Sequence, residues 1–162
     1  MTAWELISGF NLRQMLRLSC LMIRYPLYIF PTLKATQETL KICNQRYGTL
    51  HHKSGKANAF RHAIWNILLC RKAYRHSKSI EKAVDWAKRI TDLHEQIAPN
   101  NSLDMAMDLH NNAIGRLVFE QYFDSAKEEL ITITDTMAHQ ARYVSNIENI
   151  ANFEKELVYI AS

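Results

Sequence analysis

Cysteine, proline and glycine are scarce in this chain: three, three and four among 162 residues. Cys20, Cys43 and Cys70 are odd in number, far apart and set in apolar helical patterns. That excludes a disulfide framework and a thiolate metal site, and they read as reduced core residues. No run approaches the roughly 18 apolar residues that a membrane span needs. Nor is a secretory signal read at the amino terminus: Glu5 comes early, and the apolar stretch Leu18 to Ile23 is bounded by Arg17 and Arg24. The chain is expected to be soluble or peripheral to a membrane, either cytoplasmic or exported by a route that reads no amino-terminal signal. Repeats, low-complexity tracts and linkers are also missing, so a second domain is not expected.

What is present is a composition 48% hydrophobic and 22% charged, enough to bury a substantial core. A net charge of +4 and a pI near 9.0 favour an anionic partner, nucleic acid or an anionic lipid surface. Apolar residues recur at helical spacing throughout. The expected fold is all α, a single-domain bundle of about six to seven helices. Residues 1–30 form an amphipathic basic helix (about Ala3 to Ile23, with Arg13, Arg17 and Arg24 on its polar face) and a connector bracketed by Pro26 and Pro31. This part packs on the core or lies beside it, where it can meet an anionic membrane. Residues 31–162 form the helical domain that carries the site.

In that domain Pro31 opens a helix that Gly48 stops. A loop with His51, His52, Lys53 and Lys56 follows, suited to phosphate or metal but also to a plain solvated turn. Further helices are expected over about Ala57–Tyr74 and Ser79–Ile97, and from Asn101 or Ser102 onward. SAKE (Ser125 to Glu128) and SNIE (Ser145 to Glu148) read as capping boxes, the first opening a helix to about Val144 and the second opening the last helix. Gly115 interrupts the fifth helix at a cost of about 1 kcal/mol relative to alanine, which suggests the close approach of another backbone or a ligand.

Three polar clusters sit inside these amphipathic patterns: NAFRHAIWN (Asn58 to Asn66), DLHE (Asp92 to Glu95) and MDLHNNAIGR (Met107 to Arg116). On a 3.6-residue period His62, His94 and His110 each fall on an apolar face, and three inward histidines on consecutive helices can converge in one bundle interior. Unpaired polar groups there are costly and need a partner or a ligand. Asp92, Glu95 and Asp108 supply carboxylates. Residues two apart on a straight helix differ by about 200°, so Asp108 and His110 are not expected to act as co-ligands. Asn66, Asn111 and Asn112 are poor helix formers whose placement also calls for a reason.

Two arrangements fit. In one, His62, His94 and His110 hold a divalent metal ion, zinc first, whose bound water is acidified while Glu95 or Asp108 orients it or acts as base. In the other no metal takes part: a histidine paired with a carboxylate is the general base, and Arg61 or Arg116 stabilises developing negative charge. Both predict hydrolysis of an ester or phosphodiester, with phospholipid slightly ahead of nucleic acid because the first helix is basic and no interleaving of aromatic and basic residues is present. The alternative, from a different class, is a non-catalytic binding or interaction module whose buried histidines and asparagines form a packing network.

The order NAFRHA and WN, then DLHE, then DLHNN and GR also resembles a bacterial domain family of unknown function, over roughly Leu33 to Phe119. Members resemble the carboxy-terminal modules of secreted or polymorphic-toxin-like proteins. The resemblance implies a bacterial origin and an effector-hydrolase role carried by His62, Asn66, Asp92, His94, Glu95, Asp108, His110, Asn111, Asn112 and Arg116.

Overall fold

A computed structural model describes residues 19–161, apart from residue 22 and residues 98–100. The expected basic helix over Ala3 to Ile23 thus falls almost wholly outside the described residues. Five α-helices are described in full: α1 Pro26–Tyr47, α2 Lys56–Ser77, α3 Ile80–Ile97, α4 Ser102–Gln121 and α5 Lys127–His139. The all-α expectation holds.

Pro26 takes the first turn of α1, where its missing donor costs nothing. The helix then runs straight through Pro31, which the sequence reading had placed at its start. The ring of Pro31 is buried. The turn around it is held from outside, since Tyr25 and Tyr28 pack on Trp86 (ring centroids 5.4 and 4.8 Å) and Trp86 Nε1 donates to Thr32 Oγ1 at 3.0 Å. Tertiary packing outweighs the lost backbone bond. At the other end Gly48, with φ of 55°, stops α1 as expected.

The central rod is α2, buried on nearly every side by α1, α3, α4 and α5. Phe60, Ile64, Ile67, Leu68 and Leu69 form its apolar contribution to the core. Cys43 and Cys70 are buried free thiols in that core, whereas Cys20 is exposed. Gly115 explains how α4 comes so near: a Cβ there would lie 2.3 Å from the carbonyl oxygen of Ala63. The close approach expected at this glycine is that of the α2 backbone. It sets the face of α4 carrying Asp108, Asn112 and Arg116 against the face of α2 carrying His62 and Asn66.

Asn101 caps α4 by accepting from the backbone N–H groups of Leu103 and Asp104. Beyond α4 the expectations fail in part. Ser125 does not cap α5, which starts at Lys127 and ends at His139, well short of Val144. The segment after Ser145 makes only a short 3-10 turn at Glu148–Asn152. A parallel pair of two-residue strands flanks that turn, β1 Arg142–Tyr143 before it and β2 Val158–Tyr159 after it. The reason is that β2 finds partners on both edges. Arg142 N donates to Leu157 O and Val144 N to Tyr159 O on one side. On the other, the buried Asn111 amide donates to Val158 O (2.9 Å) and accepts from Val158 N (3.0 Å).

Asn111 thus serves as a strand edge built into a helix. Asn111→Ala leaves both backbone groups of the fully buried Val158 without these partners, at about 1–3 kcal/mol each. The expected outcome is a thermal midpoint lower by about 5–10 °C and amide exchange that speeds up first at Leu157 to Tyr159. An unchanged exchange rate there would count against this role.

Candidate functional site

Glu95, not His94, takes the inward position on α3. It shares a face with Thr91 and Ala87, four and eight residues earlier, and all three are buried. On α4, Asp108, Asn112 and Arg116 recur at the same four-residue spacing, and on α2 so do His62 and Asn66. These six polar side chains, with Thr91, meet between the three helices.

The hydrogen bonds assign a single arrangement. Asn112 Oδ1 accepts from Asn66 Nδ2 at 2.7 Å, and Asn112 Nδ2 donates to Glu95 Oε1 at 3.1 Å. With the amide so oriented, the His62 Nδ1 that lies 3.2 Å from Asn112 Oδ1 carries the ring proton. His62 Nε2 is then the lone-pair nitrogen. It accepts from Arg61 Nη2 at 2.9 Å and lies 3.2 Å from Asp108 Oδ1. Glu95 Oε1 is 3.6 Å from Nδ1. Glu95 Oε2 is buried with no hydrogen-bond partner among the described residues. Behind this cluster Arg116 donates to Asn66 Oδ1 (3.0 Å), fixing the amide that fixes Asn112. Arg116 is therefore a positioning residue.

His62, Glu95 and Asp108 each offer one ligand atom within 4.8 Å of the others, and each residue is at most 3% exposed. A nitrogen and two carboxylates from three helices are a donor set that suits a divalent ion. Metal–ligand bonds of about 2.0–2.2 Å place neighbouring ligand atoms roughly 3–3.5 Å apart, which the 3.2 Å between Nε2 and Asp108 Oδ1 matches. The electrostatics agree. Burial pushes Glu95 up to about 7, against the pull of Asn112 and Arg61; burial, then the Glu95 charge, push Asp108 up to about 8. His62 is driven well below its usual value by burial and by Arg61, so the ring is neutral and able to ligate.

The sequence-derived histidine triad is not what the helices build. His94 lies at an exposed position beside the cluster, its ring edge-on to Trp65 at 5.1 Å. Crowding and Arg61 lower its imidazole to about 4, an effect that the water reaching an exposed ring moderates. His110 is on the far side of α4, with Nε2 2.8 Å from the Glu156 carbonyl oxygen. The 200° separation from Asp108 expected on a straight helix is what keeps it there. Asp92 is partly exposed and bonded to Lys88 one turn earlier. Asn111 holds β2 rather than the cluster. In the loop before α2, His51 is buried against Asn44 Oδ1 at 2.8 Å and stacks on His52 at 4.0 Å.

A cavity of about 250 Å³ opens onto His62. Arg61 and Trp65 of α2, His94 of α3, His52 of a 3-10 turn at Gly48–His52 and Leu40 of α1 line it, with Thr36 and Thr39 behind. Arg61, which the sequence offered only as one of two alternatives, is thus the guanidinium at this mouth. Arg116 instead faces a separate hollow shared with Asp92 and Glu95.

The carboxyl shifts carry a pH consequence for the metal-free protein. Both groups hold their protons more tightly when folded. Their stabilising contribution is whole below their ordinary values of 4.5 and 3.8, and is lost as pH rises to about 7 for Glu95 and about 8 for Asp108. His62, and with it His51 and His94, works in the opposite sense around and below the ordinary 6.5 of an imidazole. From about pH 7 to 8 the carboxyls outweigh them, each at up to about 1.4 kcal/mol per pH unit. In chelator, the thermal midpoint is expected to fall by a few degrees across that interval and not to fall in a Glu95→Gln, Asp108→Asn double variant. A midpoint that rises with pH would refute the assignment.

An all-α bundle with a buried cluster of histidine, carboxylates and amides shared among three successive helices is the class that the fold and site define. The chain belongs to the family described as a domain of unknown function (DUF6973), which matches residues 19–142. That span takes in all five described α-helices and every residue of the cluster. No curated protein and no solved structure matches the chain.

Proposed function

We propose that this protein is a metal-assisted hydrolase of an ester or phosphodiester bond, centred on His62, Glu95 and Asp108. The observation that carries the reading is the meeting of these three buried ligand groups beside a cavity that opens onto His62. An isolated packing network gains nothing from two carboxyls raised toward neutrality, whereas a divalent ion between them compensates both charges. Such an ion, zinc first, would be held by His62, Glu95 and Asp108 and would supply Lewis acidity to the hydrolysis. Asn112, held by Asn66 and Arg116, keeps the proton on His62 Nδ1 and the lone pair on Nε2, where an ion would take the place of the Arg61 N–H. Glu95 would hold the ion through one oxygen, and its second oxygen, without a partner among the described residues, would take up the proton released on attack.

Phospholipid is the favoured substrate class. α1 walls the cavity with Leu40 and its threonines, and the same helix exposes Leu27, Phe30 and Leu33, with Lys34 Nζ 4.4 Å from the Phe30 ring centroid. Apolar residues flanked by a cation suit the edge of an anionic bilayer. No described helix is long and apolar enough to cross a membrane, so this contact is peripheral. A bacterial effector setting, implied by the motif resemblance, belongs to the same proposal.

The test is to strip the protein of metal, titrate it with zinc, manganese and magnesium, and follow hydrolysis of a chromogenic phosphodiester and a short-chain ester. One equivalent of bound ion and activity that returns with it are expected. No bound ion, together with His62→Ala changing thermal stability alone, would leave the non-catalytic network as the correct account.

A further inference from the structure

We infer that the cavity beside His62 binds the phosphoryl group of the substrate, with Arg61 as its anchor; this deepens the reading above and rests on it. Among the described residues the cavity wall holds a guanidinium and three imidazoles, those of His52, His62 and His94, and no carboxylate. Among the described residues the Arg61 guanidinium makes a single hydrogen bond, to His62 Nε2. Its remaining N–H groups have no acceptor among the described residues, although most of the side chain is sunk between α1, α2 and α3. A cation taken out of water without a partner is costly, and an anion entering the cavity removes that cost.

The donors select the anion. Arg61 offers a planar fork that can meet two oxygens at once, and His94 and His52 add donors from other sides of the opening. A tetrahedral phosphoryl group has oxygens pointing toward all three, whereas a carboxylate turns both of its oxygens, in one plane, toward the fork. At about 250 Å³ the cavity falls below the range of pockets that enclose a drug-sized ligand, so it takes the phosphoryl group and a short adjoining segment, with Trp65 and Leu40 as the apolar wall. Arg116 cannot share this role, because its guanidinium is committed to Asn66 on the other side of the cluster.

Inorganic phosphate is the first probe, titrated into metal-stripped protein and followed by calorimetry and by the imidazole resonances of His62 and His94. Saturable binding is expected, weakened at least about tenfold in Arg61→Gln and partly restored in Arg61→Lys. His94→Ala changes an exposed position, so the fold is retained, and a loss of about threefold is expected. Unaltered phosphate affinity in Arg61→Gln overturns the proposal; should that variant not fold, unaltered affinity in His94→Ala does so. Vesicles of phosphatidylglycerol set against free glycerol phosphate distinguish a lipid headgroup from a soluble phosphate ester as the source, and a single-stranded oligonucleotide outcompeting both would overturn the choice of a short substrate segment. Phosphate bound through Arg61 without any metal-dependent hydrolysis would sink the hydrolase reading and spare this site. Metal-dependent hydrolysis without phosphate binding would do the converse.

Discussion

Glu95→Gln is expected to lower affinity for a divalent ion by at least about 100-fold without unfolding the protein. Outer-shell partners of a metal ligand are already worth about 10–100-fold, and a ligand itself contributes no less. The fold persists because glutamine keeps the Oε1 acceptor that Asn112 Nδ2 uses at 3.1 Å, and because the other oxygen has no partner to lose. At pH 8 the metal-free variant should melt at the same temperature as the parent or higher, since the buried ionised carboxylate is gone. His62→Gln and Asp108→Asn should lose metal to a similar degree. His110→Gln should keep it, because His110 reaches only the Glu156 carbonyl. A packing network predicts the reverse ordering: lower stability in Glu95→Gln and no effect on any ion.

The second large effect is expected at Gly115. Helix propensity alone favours alanine there by about 1 kcal/mol. The added methyl, however, would sit 2.3 Å from the Ala63 carbonyl oxygen and under 3 Å from two further backbone atoms of that residue. Neither helix can yield without shifting its axis, so Gly115→Ala is expected to be destabilising by about 2–4 kcal/mol, opposite in sign to the propensity term. The damage extends to the site, since moving α4 away from α2 draws Asp108 and Asn112 from His62. Thermal denaturation combined with metal titration checks both parts. A stabilised variant that still binds metal would mean that the α2–α4 crossing is looser than described.

Much of this was legible in the residues, and the failures have specific causes. Helical periodicity located α2, α3 and α4, Gly48 marked the end of α1, and Gly115 announced a close approach. It also separated Asp108 from His110. The same rule misassigned α3, because adjacent residues differ by only 100° and a stripe read from composition could not decide between His94 and Glu95; the depth of Thr91 and Ala87 decided it. Proline rules alone cut α1 short, since the stacking of Tyr25 and Tyr28 on Trp86 is a long-range contact with no local signature. Likewise the last segment carries a capping-box pattern, yet its backbone is claimed by Asn111 and β1. Arg61 was visible beside His62, but its opening into the cavity depends on three other elements.

The account stands on His62, Glu95 and Asp108 holding one ion. Crystals soaked in manganese or zinc and measured at the metal's absorption edge test this directly. The expected result is a single strong anomalous peak bonded to His62 and both carboxylates at about 2.0–2.3 Å. Scattering that instead localises to His51 and His52, to His94 alone or to the surface acids, with the three buried groups bonded only to each other and to Asn112, would contradict it.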